Sequence, residues 1–305
     1  MALGLAACTQ GQGPGGPVLK PVSRPDRPAA AAPEVARPTS QASAELRSYL
    51  NQVQGAQLGQ GLLRRDGGGV DTPFTDTMLA RNFEQIAFYN EYDGNFAGRG
   101  GASPLRRWDA PVRMEVIFGE GVPPSQRQRD MSAITDYAAR LARVTGHPVS
   151  VGGRPNFVVI IAGEDDRGEA LAAASKRMPG ISQASLAPLV DLRDDTYCVV
   201  AAYAGGAGAN TYTAALAVIR AENPGLLRLS CIHEELAQGM GLANDSPSAR
   251  PSIFNDDDEF ALLTRHDELL LRMLYDPRLR TGMTADEART TVKQIATELT
   301  NTGPV

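Results

Sequence analysis

No stretch of about 18 consecutive apolar residues occurs in this chain of 305, which argues against a membrane-spanning helix in the sequence as it stands. A basic excess is missing too. With 30 Lys and Arg against 35 Asp and Glu, a net charge of −5 and a pI near 5.4, the composition offers no basic face, so nucleic acid is not an expected partner. No internal repeat is visible, the glycine run at 205–208 lacks the Lys-Ser/Thr ending of a phosphate loop, and there is no serine nucleophile elbow. Cysteine is restricted to Cys8, Cys198 and Cys231. What remains is ordinary for a soluble globular protein: 42% hydrophobic and 21% charged residues, enough for a sizeable core in one large domain or two small ones.

The first eight residues are small and apolar, and Leu5, Ala6, Ala7 and Cys8 resemble a bacterial lipobox. There the signal peptidase cuts before a cysteine whose sulfur takes a diacylglycerol. No basic segment precedes the run, and it is short for a complete signal peptide, so the expectation is a start assigned downstream of the true one; the alternative is a meaningless alanine-rich leader. Residues 9–43 are rich in Pro, Gly, Ala and Ser without hydrophobic periodicity. Such a segment cannot bury enough apolar surface to offset its ordering entropy, and a disordered tether is expected. This layout of lipobox remnant (1–8), linker (9–43) and one domain (44–305) places the protein in the bacterial periplasm or at the outer membrane, with the membrane as a partner through lipidated Cys8. With Cys8 lipidated, Cys198 and Cys231 are left to pair in an oxidising compartment; the alternative is two buried free thiols.

Periodicity begins at Ala44. Helices are expected over 44–57, 76–92, 125–144, about 164–175, 265–275 and 285–300, the last opened by a capping box from Thr284 to Glu287. Strands are expected over 107–118, 149–151 and 156–162, and as two apolar runs at 196–202 and 211–219 separated by the glycines at 205–208. Glycine-rich residues 93–103 read as a loop, Trp108 as a packing residue at the start of its strand, and Glu164, Asp165 and Asp166 as a solvated helix N-terminus.

The chemistry concentrates in residues 226–245, where a helix ends at a glycine turn. Only side chains at i and i+4 converge on one ion from one helix face. From Glu234 the spacing gives Glu234, Glu235, Gln238, Gly241, Asn244 and Asp245. This resembles the active-site helix of the zincin metallopeptidases, in the metzincin arrangement His-Glu-x-x-His-x-x-Gly-x-x-His, with all three histidines replaced. The resemblance implies Glu235 at the general-base position, Glu234, Gln238 and Asn244 at the ligand positions converging near Gly241, and Asp245 as a substitute for Asn244. The alternative register from His233 fails at Ala237. Downstream, Ser252, Ile253, Phe254 and Asn255 resemble the turn beneath the metzincin site with Phe for Met, and the helix carrying His266, Asp267, Leu274 and Tyr275 resembles the one packed under it. Residues 231–283, and more weakly those back to Leu79, are also similar to an uncharacterised bacterial family, domain of unknown function 2927, whose members carry Glu-Glu-x-x-Gln and Leu-Tyr-Asp-Pro-Arg-Leu segments. The plainer reading is an exposed acidic helix face followed by a glycine-terminated turn.

The resemblance implies an α+β fold, a zincin-like mixed sheet with packed helices after the tether, in which one of the two apolar runs is the edge strand that pairs with bound peptide. It also implies a changed chemistry. One carboxylate and two amides are a poor set for zinc, which prefers nitrogen and sulfur, so the expected cofactor is a hard divalent cation or none. His266 is retained as a ligand or proton carrier against the reading of a satisfied helix-start residue. Two functions follow: a cell-envelope lipoprotein whose metallopeptidase-like domain has lost its zinc ligands and binds a peptide or wall component, or an active metal-dependent hydrolase with an unconventional Glu/Gln/Asn ligand set.

Overall fold

The strand Phe157–Ala162, FVVIIA, is apolar at every position and buried at every position, because it lies mid-sheet with helices on both faces. The computed structural model describes residues 39–91, 100–178, 181, 183–205, 209–255 and 257–301, all within the compact unit Ala36–Val305. Its elements are α1 (Gln41–Gly59), α2 (Asp76–Ala87), β1 (Val112–Phe118), α3 (Pro124–Thr145), β2 (Val149–Val151), β3 (Phe157–Ala162), α4 (Arg167–Arg177), α5 (Gln183–Val190), β4 (Cys198–Ala204), β5 (Tyr212–Arg220), α6 (Gly225–Gln238), α7 (Arg265–Leu274) and α8 (Ala285–Asn301). The fold is α+β with one five-stranded mixed sheet, ordered β2-β1-β3-β5-β4. Four strands are parallel, and β4 alone runs antiparallel, paired with β5 from Cys198↔Ile219 to Ala204↔Tyr212. Last in that order, β4 is one edge of the sheet, and β2 is the other.

Alternation along the strands sorts two cores. Phe157, Val159, Ile161, Ala215, Ala217 and Ile219 pack with α2, α3, α6, α7 and α8, while Val158, Ile160, Leu216 and Val218 pack with α4 and α5. Leu46 and Leu50 of α1 meet Leu227 at the start of α6. No helix among the described residues is long and apolar enough to cross a membrane. Cys8 and nearly all of the expected tether lie outside the described residues, as do 92–99 and 206–208 of the two glycine-rich loops.

Several boundaries differ from expectation. α1 starts three residues early, because Ser40 caps it by accepting from Ser43 N. α2 stops at Ala87: Phe88 turns into the core edge-on to Phe83, and Tyr89 forms a bridge with Ala102. β1 starts at Val112 because Pro111 has no N–H for the ladder, and Arg107 keeps only an isolated bridge to Thr211. α5, with Pro188 inside it, was not expected. The cluster at 164–166 is no solvated helix start: buried Asp166 accepts from Gly163 N and Gly121 N, and Glu164 pairs with Arg167 and with fully buried Arg220.

Candidate functional site

α6 begins directly after Pro224, whose ring suits the extended residue preceding a helix, and presents Cys231, Ile232, Leu236 and Ala237 to the core. Glu234, Glu235 and Gln238 follow Cys231 at three, four and seven residues, on the side of the helix that faces the start of β4. The helix must then turn sharply. Gly241 does so at φ +127, and a Cβ there would run into the Arg106 carbonyl oxygen, so only glycine fits. Buried Trp108 donates from Nε1 to Gly239 O at 2.8 Å, and the Tyr275 hydroxyl donates to Met240 O at 3.0 Å, fixing the turn from two sides.

Beyond the turn, Glu91 N donates to Ala243 O at 2.9 Å, which brings the residues after α2 opposite the end of α6. A second turn lies below. Ser252 Oγ donates to Asp267 Oδ1 at 2.5 Å, Ile253 N donates to Asp267 Oδ2 at 3.1 Å, and Phe254 is fully buried. Asp267 also closes the capping box of α7 with Thr264. The start of β4 closes the remaining side, through a disulfide from Cys198 to Cys231 of α6 with Cα atoms 5.8 Å apart.

These segments enclose a cleft of about 200 Å³ lined by Glu91, residues 195–200, Glu234, Glu235, Gln238, Asp245, Asn255 and Asp258. Glu91, Asp195, Glu234, Glu235, Asp245 and Asp258 supply carboxylates, and among the described residues no Lys, Arg or His is in the lining. Gln238 Nε2 lies 3.4 Å from both Glu91 Oε2 and Asp245 Oδ1, so its NH2 group bridges two acids. Glu235 is 4% exposed, and its Oε2 has no hydrogen-bond partner. Burial first, and then the nearby Glu91 and Asp245 carboxylates, hold its pKa well above the usual carboxylate range.

Of the residues singled out from the sequence, Glu234, Glu235, Gln238 and Asp245 come together in the cleft, with Cys198 and Asn255 also in its lining. Asn244 does not line it; its Nδ2 donates to Gln85 O and to Asp245 O. His266 is buried at the start of α7, with Nε2 3.1 Å from Asn82 Nδ2 and its ring edge-on to Phe74, also outside the lining. His233 faces elsewhere: its Nδ1 accepts from Leu263 N, its ring stacks on Tyr137 at 4.1 Å, and burial lowers its pKa to about 3. Glu91 was missed. It is 147 residues from Gln238 in sequence, and no spacing rule connects them. Asp195 and Asp258 were missed for the same reason.

Zinc does not fit this arrangement. Gln238 turns a donor toward its neighbours where a ligand would offer a lone pair, and neither His233 nor His266 is in reach. Among the described residues, the group of ligand atoms lying within 4.8 Å of one another is Cys198, Glu234 and Glu235. The Cys198 sulfur is already committed to the disulfide, which leaves two adjacent carboxylates.

No curated protein and no solved structure matches the chain. A family described as protein of unknown function (DUF2927) matches residues 76–294, from the first residue of α2 into α8, a stretch that contains the whole sheet, α6 and every residue lining the cleft. The chain belongs to that family of proteins of unknown function.

Proposed function

We infer that this protein is a cell-envelope lipoprotein whose zincin-like domain has lost its zinc ligands and binds an extended peptide, or the peptide portion of a wall component, between β4 and α6. The observation that carries this reading is that the edge strand β4 and the acid face of α6 open on the same cleft, tied together by the Cys198–Cys231 disulfide. An edge strand offers a row of backbone donors and acceptors to an incoming strand, and pockets beside it read alternate side chains. Zincin descent is supported by the one-turn spacing of Glu234 and Gln238, by the glycine turn, and by the contacts of Asp267 and Tyr275 beneath the site. A general base is useful only where something activates a water within its reach, and the donor set here supplies no such metal centre.

The test is proteolysis. Metal-stripped protein is incubated with a mixed peptide library, with and without added zinc, manganese or calcium, and the peptides are followed by mass spectrometry. The library should survive intact under every condition. Cleavage that depends on metal and disappears in Glu235→Gln would replace the binding reading with the active hydrolase.

A further inference from the structure

Buried carboxylates without partners are rare, because an unmatched polar oxygen loses its hydration without recovering it. Glu235 Oε2 is one, and it is aimed into the cleft. Around it stand Glu91 and Asp245, bridged by Gln238, with Glu234, Asp195 and Asp258 completing the acidic lining. Among the described residues, no lining side chain carries a positive charge. We propose that this cleft is a subsite for the side-chain cation of a peptide ligand, an alkylammonium or guanidinium group that hydrogen-bonds Glu235 Oε2 and is flanked by Glu91 and Asp245.

Two observations favour an organic cation over a metal ion. Glu91, Glu235 and Asp245 are not the group whose ligand atoms crowd within 4.8 Å, so their oxygens are spread more widely than the first shell of one small ion. The cavity of about 200 Å³ is also several times the roughly 30 Å³ share of a water molecule, which leaves room for a cationic head and part of its stem. Entry of the cation opposes the upward shift that burial and the neighbouring acids impose on Glu235, since a positive charge among three acids favours their ionised forms. The position relative to β4 suits a side chain: residues 198–200 of the strand line the cleft, so a peptide paired along this edge sends alternate side chains toward it.

This inference rests on the peptide-binding reading for its ligand, and the experiment separates the two. Full-length protein labelled with 13C at glutamate carboxyl carbons is titrated with n-butylammonium, n-butylguanidinium, n-butanol and calcium chloride, the Glu235 resonance being assigned by its loss in Glu235→Gln. At least one organic cation should move that resonance saturably, and n-butanol should not. A second arm measures capped pentapeptides that differ only in a central lysine, arginine or norleucine. A cationic peptide should bind about tenfold tighter than the norleucine peptide, as one charge-assisted hydrogen bond provides. In Glu235→Gln that ratio should fall to about one while norleucine binding is retained, and Asp245→Asn should lower the ratio in the same direction. Failure of both organic cations to move Glu235, or a response to calcium alone, overturns the subsite. Equal binding of all three peptides to the unmodified protein overturns it as well. A response to the small cations with no peptide bound keeps the subsite and removes the peptide reading.

Discussion

Glu234 and Glu235 are neighbours in sequence with opposite fates, because successive helical side chains diverge by roughly 100°. Glu234 stands partly exposed at the cleft, while Glu235 is buried beside two further acids. The consequence for stability has a definite sign. The folded pKa of Glu235 lies above the ordinary value of 4.5, so above that pH the folded protein keeps a proton that the unfolded chain releases. Stability from this residue is complete below pH 4.5 and is lost as pH rises through the folded pKa, with a slope of up to about 1.4 kcal/mol per pH unit. Gln copies the neutral acid and does not titrate. Denaturant unfolding of Glu235→Gln and the unmodified protein from pH 4 to pH 9 should therefore give curves that diverge, the variant gaining relative stability as pH rises. Parallel curves would contradict a neutral, buried Glu235. The position of Glu235 was readable from one-turn spacing, whereas its burial beside Glu91 and Asp245 was not, since that depends on tertiary contacts.

Among the elements, those with strong periodicity were legible. α3, β2, β3, β5, α6, α7 and α8 all lie within a few residues of where apolar spacing and caps put them. The capping box read at Thr284 and Glu287 forms, with Glu287 N donating to Thr284 Oγ1 and the Glu287 carboxylate accepting from Thr284 N. The elements that escaped are those decided by tertiary contact. α5 contains Pro188 and has almost no amphipathic signal, yet Leu186 and Leu189 bury against the β4/β5 face of the sheet. Acids 164–166 look like an exposed helix start until fully buried Arg220, distant in sequence, supplies the countercharge. The pairing of Cys198 with Cys231 followed from cysteine counting, and it now has a structural consequence: the start of the edge strand cannot drift from α6, so the cleft keeps its width.

For the whole molecule, the cleft draws on five separated stretches of chain, at 91, 195–200, 234–238, 245 and 255–258; Glu91, Asp195 and Asp258 are the acids among them that carried no recognisable signal. Sequence spacing locates a motif on one helix; it does not report which distant acids the fold brings opposite. The proposed anchor belongs to this scale as well. Full-length protein produced with its native leader should fractionate with membranes, and Cys8→Ala should release it to the soluble periplasm; unchanged partition would remove the lipoprotein from the account. The central claim, that an extended peptide pairs with β4 over the acid face of α6, is tested most directly by hydrogen–deuterium exchange with and without a saturating lysine-containing peptide. Slowed exchange should concentrate in β4 and the end of α6, where backbone groups at the sheet edge acquire partners. Peptide binding that leaves β4 exchange unchanged would contradict the claim.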